Sequence, residues 1–187
     1  MKKASLVIQD IQNNVYNDML LDVYMDLQQL EYQKARYIQA IEKFIELYGD
    51  QEITIYSTPG RSEVCGNHTD HQHGEVLAAA INLDIIAVVA KDDAKIKILS
   101  DDYDIAAIDI NDMTLRENEK ESSEGLIRGI LARFQQLNYQ IGGFVGYMTS
   151  DVLQGSGLSS SAAFEVMIGT VLSGMYNDMK VDPVMIA

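Results

Sequence analysis

Residues 151–165 read D-V-L-Q-G-S-G-L-S-S-S-A-A-F-E and connect a strand pattern to a helix pattern. Gly155 and Gly157 permit a tight turn and a close approach of the backbone to a ligand. Three serines then open residues 162–176, which have helical apolar spacing. Free N–H groups and the dipole at a helix start bind anions, and serine hydroxyls add hydrogen bonds or reach a metal ion. We interpret the stretch as a phosphate-binding loop; the alternative is a glycine-rich turn with an ordinary serine N-cap, for which one serine would suffice.

The loop differs from two common nucleotide-binding patterns. No Gly-Lys-Ser/Thr follows the glycines, as a Walker A sequence requires. The third glycine of a dinucleotide fingerprint is missing, and no acidic residue about 20 positions further on can be assigned to a ribose. A nucleotide phosphate held by a loop of another design is therefore the better interpretation.

Composition excludes several classes of protein. The 187 residues are 47% hydrophobic, enough for one sizeable core, and carry a net charge of −14 without a basic tract. We therefore expect neither nucleic acid nor an anionic membrane as a partner. The single cysteine, Cys65, fits a reducing cytosol, and no apolar signal segment follows Met-Lys-Lys at the start. Residues 76–90 form the longest apolar run, which is too short to span a bilayer, so we expect a soluble cytoplasmic protein.

The periodicity of apolar residues predicts an α+β protein. Helical spacing covers residues 18–48, with Gly49 as a stop, and residues 122–137. Strand patterns cover residues 53–57, ending at Pro59-Gly60, then 76–90 and 143–149, and a hairpin joins 95–99 to 104–110. Strands and helices mix without strict βαβ repetition, which favours α+β over a doubly wound sheet.

A second group of polar residues lies in residues 59–77, P-G-R-S-E-V-C-G-N-H-T-D-H-Q-H-G-E-V-L, with all three histidines of the chain. Asn67, His68 and Asp70 offer donors and acceptors suited to the hydroxyls of a sugar or polyol. Arg61 supplies a permanent cation able to steady a developing phosphoryl charge. A metal site built on the histidines is an alternative, as is a solvated turn, but two glycines and the lack of a helical face disfavour converging metal ligands.

In this order, and about 90 residues apart, the two segments resemble the first and second motifs of the GHMP kinase superfamily, and within it of the galactokinases. The galactokinase pattern P-G-R-V-N-L-I-G-E-H-T-D-Y-N-x-G-x-V-L is matched by Pro59, Gly60, Arg61, Gly66, His68, Thr69, Asp70, Gly74, Val76 and Leu77. The second pattern, P-x-G-x-G-L-S-S-S-A, is matched over residues 155–162. The resemblance covers roughly residues 44–187.

The resemblance implies a fold and an activity. Residues 50–187 would form an incomplete GHMP kinase N-terminal domain of the ribosomal protein S5 domain 2-like fold, a mixed sheet with helices packed on one face. Residues 1–49 would form a helical N-terminal extension. The implied enzyme is a sugar kinase that uses ATP and Mg²⁺ to phosphorylate the anomeric hydroxyl of galactose or a related hexose, giving the sugar 1-phosphate.

The resemblance also implies a role for each matching residue. Arg61 would stabilise charge near the anomeric hydroxyl, and the substrate-binding residues would be Glu63, Asn67, His68 and Asp70. The ATP phosphates would lie on Gly155, Ser156, Gly157, Leu158, Ser159, Ser160 and Ser161, with the hydroxyl of Ser160 or Ser161 near Mg²⁺. Four positions depart from the family pattern: Glu63 replaces Asn, Asn67 replaces the sugar-binding Glu, His71 replaces Tyr and Leu153 replaces Pro. Because Asn67 removes a charged acceptor facing the sugar, the preferred sugar stays open.

Two further expectations concern the whole chain. The family's catalytic Asp, its acidic Mg²⁺ ligand and its C-terminal domain would follow residue 187, and Asp182-Pro183 begins a helix only a few residues before the sequence stops. We therefore expect an N-terminal fragment with little or no activity of its own. A galactokinase-like regulator that binds sugar and ATP without catalysis is the alternative function.

Overall fold

The computed structural model describes residues 1–66, 74–100, 104–114, 116–120, 122–152 and 158–186. The elements follow the order β1 (Lys2–Lys3), α1 (Ala4–Gln12), α2 (Asn17–Tyr24), α3 (Leu30–Tyr48), β2 (Glu52–Cys65), β3 (Leu77–Asp92), β4 (Lys95–Ser100), β5 (Asp104–Asp109), α4 (Ser123–Gln136), β6 (Gly143–Ser150), α5 (Ser160–Tyr176) and α6 (Pro183–Ile186). Short 3₁₀ turns lie at Leu27–Gln29 and Glu117–Glu119. Among the described residues no helix has the length and apolar content needed to cross a bilayer.

The strands form one mixed sheet in the order β1-β2-β3-β6-β4-β5. Strand β3 pairs antiparallel with β2 on one side and with β6 on the other, while β4 pairs parallel with β6. The predicted hairpin is confirmed by the antiparallel pairing of β4 with β5, and the predicted strand before the glycine loop is β6. The α+β prediction with a mixed sheet is therefore confirmed.

Helices cover both faces of this sheet. On one face Ile85, Ala87 and Val89 of β3 pack with the buried residues of α4 and α5. On the other face the alternate residues Ile86, Val88 and Ala90 pack with α1, α2 and α3. The expectation of helices on one face describes only the α4–α5 layer and is corrected by the second layer. The physical reason lies in β3, whose residues 85–90 are apolar on both faces, so each face needs a cover.

The N-terminal residues are attached to the sheet by pairing and by packing. Lys2 and Lys3 pair with Ile53 and Glu52 of β2, and the buried side chain of Phe44 in α3 joins the core on that side. Helix α1 and strand β1 were not predicted, because both are short. The helix predicted over residues 18–48 is interrupted at Met25, where φ is +55°, and it ends at Gly49 as predicted. The boundary proposed between residues 1–49 and 50–187 stays a prediction.

Strand β2 is longer than the sequence indicated. It was predicted to end at Pro59-Gly60 but runs to Cys65, with a shift of register between Pro59 and Arg61. A proline, which has no N–H to donate, is tolerated at such an irregularity. Strands β2 and β3 therefore extend past the core as a hairpin. At its end Gly66 has φ +123°, and a Cβ there would lie 2.7 Å from the Cα of Val76, so a glycine is required.

Candidate active site

The two motifs found in the sequence meet where β2 passes the start of α5. The backbone N–H of Arg61 donates to the carbonyl oxygen of Leu158 at 3.1 Å. Three residues earlier, the Thr58 hydroxyl donates to the carbonyl oxygen of Ala163 in the first turn of α5, also at 3.1 Å. The strand that carries the first motif is thus hydrogen-bonded to the end of the glycine loop, and the two segments share one location.

Gly60 lies between the two described ends of the glycine loop. A Cβ built on Gly60 would lie 3.1 Å from the carbonyl oxygen of Leu158 and 3.1 Å from Cγ2 of Val152. Residues 153–157, which connect Val152 to Leu158, lie outside the described residues. Both flanks of the loop therefore rest against the same residue of β2, which has no side chain to separate them.

The start of α5 has the features of an anion site. Ser159 adopts the left-handed conformation, with φ +58°, and its side chain makes no capping hydrogen bond. The alternative of an ordinary serine N-cap is therefore not what the structure shows. No acidic residue lies in the first turn of this 17-residue helix, so the positive end of its dipole is not offset there. A left-handed serine costs about 1–2 kcal/mol, and such strain is found most often at functional sites.

Of the other predicted site residues, the structure describes some and not others. Arg61 and Glu63 are both half-buried and, being two positions apart in β2, lie on one face of the hairpin. Ser160 is half-buried and Ser161 is exposed in the first turn of α5. The remaining candidates lie outside the described residues: Asn67, His68, Asp70, Gly155, Ser156 and Gly157.

The metal site considered as an alternative stays a prediction. Among the described residues no three His, Cys, Asp or Glu side chains form a metal-binding group, but the three histidines lie outside those residues.

A buried ionic cluster beside the site was missed in the sequence. Arg36 of α3 pairs with Asp84 of β3, Nη1 to Oδ1 at 2.5 Å, with side chains only 6% and 4% exposed. The other oxygen of Asp84 accepts from the hydroxyls of Tyr24, at 2.8 Å, and Ser57, at 2.5 Å. Two features of the sequence could have indicated the cluster. Asp84 is a carboxylate inside the apolar run of residues 76–90, and Arg36 lies next to Tyr37 on the apolar side of a helix.

In this cluster Arg36 and Asp84 form the ion pair, and the hydroxyls of Tyr24 and Ser57 are neutral donors to Asp84. Burial is the largest influence and would lower the pKa of Arg36, but the charge and hydrogen bond of Asp84, together with Asp151 and Tyr24, outweigh it, so the pKa is raised and the guanidinium stays charged. Burial raises the pKa of Tyr24 and of Tyr37, and both phenols stay protonated at neutral pH. Tyr24 therefore acts as a donor to Asp84.

We predict that Gly60→Ala disturbs the loop. The new Cβ would press on Leu158 and Val152 and also lie 3.2 Å from Cδ1 of Ile81, so these neighbours must move by a few tenths of an ångström. We expect affinity for MgATP, measured by calorimetry, to fall on the order of tenfold, since small displacements of positioning groups are costly. The matched control is Gly129→Ala in α4, where a Cβ meets nothing within 4 Å and should stabilise the helix. Equal ATP affinity in the two variants would contradict the proposal that the loop beside Gly60 binds the nucleotide.

Comparison with known proteins finds a matching sequence signature and similar folds. Residues 42–91 match the galactokinase galactose-binding signature. A Lactococcus lactis galactokinase, solved in complex with galactose, is similar over 78% of this chain and 38% of its own, with 27% sequence identity and a TM-score of 0.69. A Methanococcus jannaschii mevalonate kinase shares the fold over 72% of this chain and 44% of its own, with 20% identity and a TM-score of 0.58. This chain thus spans less than half of the length of either protein.

These similarities identify the class of protein. The mixed sheet and its helices have the fold of the GHMP kinases, in their N-terminal portion. The chain is galactokinase-like, since residues 42–91 carry the galactose-binding signature and the fold is similar to the N-terminal portion of a galactokinase.

Proposed function

We propose that the whole protein is an ATP-dependent sugar kinase of galactokinase type. It transfers the terminal phosphoryl group of ATP to the anomeric hydroxyl of galactose or a related hexose and releases ADP and the sugar 1-phosphate. The observation that carries the proposal is the hydrogen bond from Arg61 N–H to Leu158 O, at 3.1 Å. It joins the segment with the sugar-binding signature to the segment proposed to hold nucleotide phosphates, and phosphoryl transfer requires both substrates in one place.

The nucleotide half of the proposed site is the loop of residues 155–161. Its amides and the N-terminus of α5 bind the phosphates, and the hydroxyls of Ser160 and Ser161 supply hard oxygen ligands of the kind Mg²⁺ takes. Support comes from the partly exposed first turn of α5, which has no acidic residue and no side-chain cap from Ser159. When bound, Mg²⁺ neutralises charge on the phosphates.

The sugar half of the proposed site is the end of the β2–β3 hairpin. Arg61 presents a permanent cation beside Leu158 and stabilises charge that develops on the transferred phosphoryl group. Glu63 lies on the same face of the hairpin, and Asn67, His68 and Asp70 follow within the segment that connects its strands. Their carboxylate, amide and imidazole groups bind the ring hydroxyls. The galactose in the complex of the Lactococcus lactis galactokinase supports a hexose as the substrate.

The test is a substrate screen with the whole protein. Purified protein, MgATP and a panel of hexoses and hexosamines are incubated, and sugar 1-phosphate is measured by ³¹P NMR together with ADP release. We expect turnover with galactose or a related hexose and none with its methyl glycoside, which lacks a free anomeric hydroxyl. The 187-residue chain assayed in parallel should give little or no turnover. If galactose and ATP bind without turnover, the sensing regulator replaces the kinase; if neither binds, both functions are wrong.

We also propose a cytoplasmic location and no nucleic-acid or membrane partner. A net charge of −14 without a basic tract disfavours polyanionic surfaces, and one cysteine suits a reducing compartment.

A further inference from the structure

One carboxylate at the entrance to the glycine loop is held by α3 from two directions. The hydroxyl of Tyr32 donates to Oδ1 of Asp151 at 2.9 Å. Nη1 of Arg36 lies 3.2 Å from Oδ2 of the same carboxylate. Asp151 is the first residue after β6 and stands two positions before the segment 153–157. Both of its side-chain oxygens are therefore fixed by the N-terminal helical layer.

The same guanidinium also joins the two neighbouring strands at this point. Nη2 of Arg36 donates to the carbonyl oxygens of Asp84, at 2.9 Å, and Thr149, at 3.3 Å. The backbone N–H of Asp151 donates to the carbonyl oxygen of Asp84 at 3.0 Å. Arg36 thus connects β3, the end of β6 and the start of the loop.

These contacts continue into the candidate active site. Val152, next to Asp151, lies against Gly60, so a displacement of Asp151 moves the flank of the loop that touches the residue before Arg61. On the other side Ser57, three residues before Gly60, donates to Asp84. The cluster therefore fixes the strand of Arg61 and the loop flank relative to each other. Groups that orient the residues in contact with substrate determine how well those residues are placed.

We propose that Arg36 and Tyr32 are positioning residues of the nucleotide site, which gives the N-terminal helical layer a role in catalysis as well as in the core. The inference rests on the proposed function. Tyr32 is the informative residue because it is 51% exposed, and an exposed hydrogen bond contributes little to the stability of the fold. Burial and the bond to Asp151 raise the pKa of Tyr32, so it remains a donor at neutral pH.

The experiment compares Tyr32→Phe and Asp151→Asn with a control in the whole protein. The control is Tyr48→Phe, at the other end of α3, whose hydroxyl donates at 3.4 Å to Gly146 in the middle of β6. Three quantities are measured: kcat/KM for MgATP at saturating sugar, the thermal unfolding midpoint, and amide hydrogen exchange of the peptide 150–163. We expect Tyr32→Phe to lower kcat/KM for MgATP about fivefold, the factor that one lost hydrogen bond corresponds to. Asp151→Asn should lower it about tenfold or more, because it also loses the charge that faces Arg36.

Both variants should accelerate exchange in the peptide 150–163 alone. Tyr32→Phe should leave the unfolding midpoint near that of the wild type, because its hydrogen bond is exposed, and Tyr48→Phe should change neither quantity. Unchanged kcat/KM and unchanged exchange in both variants would overturn the inference. So would faster exchange spread evenly over the chain, which indicates a purely structural role. A wild-type protein that neither binds nor turns over ATP would refute the proposed function and with it the catalytic part of the inference. In that case, faster exchange confined to the peptide 150–163 in the variants would show only that Tyr32 and Arg36 hold the flank of the loop in place.

Discussion

Arg61→Met is expected to lower kcat for sugar phosphorylation about 10³-fold, the size of effect seen when a preorganised positive group is removed from a transferring phosphoryl group. Methionine keeps an unbranched side chain of similar bulk and removes only the guanidinium. The backbone N–H that bonds to Leu158 is present in both proteins, so the loop keeps its attachment to β2. KM for MgATP should change far less than kcat, because the missing charge acts mainly in the transition state.

Steady-state kinetics of three variants test this expectation. Arg61→Lys keeps the charge but not the planar fork of donors, so its kcat should lie between those of the wild type and Arg61→Met. Arg133→Met on α4 is the matched control, because Arg133 is exposed and belongs to a helix that packs mainly against α5 and β5. Its kcat should equal that of the wild type. A kcat for Arg61→Met within tenfold of the wild type would remove Arg61 from the catalytic site.

Asp84→Ala is expected to have the largest effect on stability. It removes the closer of the two carboxylates that face the buried guanidinium of Arg36 and leaves only the contact with Asp151, while the hydroxyls of Tyr24 and Ser57 lose their common acceptor. Breaking a buried pair in this way costs about 3–5 kcal/mol, a large part of the roughly 5–15 kcal/mol that stabilises a typical domain. The measurement is the free energy of unfolding from denaturant titration followed by circular dichroism.

The double variant Arg36→Met/Asp84→Ala separates the charge from the packing. Because an apolar replacement of a buried ion pair is often neutral, the double variant should recover much of the stability lost in Asp84→Ala. It should still bind MgATP more weakly than the wild type, since Asp151 loses its contact with Arg36. A double variant as unstable as the single one would show that the cost of Asp84→Ala does not come from an unpaired charge.

Much of the fold could be predicted because its signals are local. The apolar spacing of residues 122–137 identified α4, which the structure shows capped by Ser122, accepting from the N–H of Gly125 at 3.1 Å. Alternation identified the β4–β5 hairpin and β6. The prediction was wrong where tertiary pairing outweighed a local pattern. Pro59 predicts the end of a strand, but the pairing of β2 with β3 continues past it through a shift of register.

The sequence predicted which residues belong to the candidate site, but it did not predict how they are arranged in space. The motifs around Arg61 and Ser159 were visible in the sequence, but the contact between them was only implied by the family resemblance, and the structure brings Arg61 N–H to Leu158 O. The cluster of Arg36, Asp84 and Asp151 was missed. Its members are separated by 48 and 67 residues along the chain, and no local period connects residues so far apart.

The sequence by itself determined most of the longer elements, the two motifs and the class of fold, because helix and strand periods, glycine positions and short motifs depend on near neighbours. Only the tertiary structure decided that a second helical layer covers the sheet, that Gly60 touches both flanks of the loop, and that α3 holds Asp151. Those features arise when apolar faces distant in sequence are buried together and the charged groups carried with them must find partners.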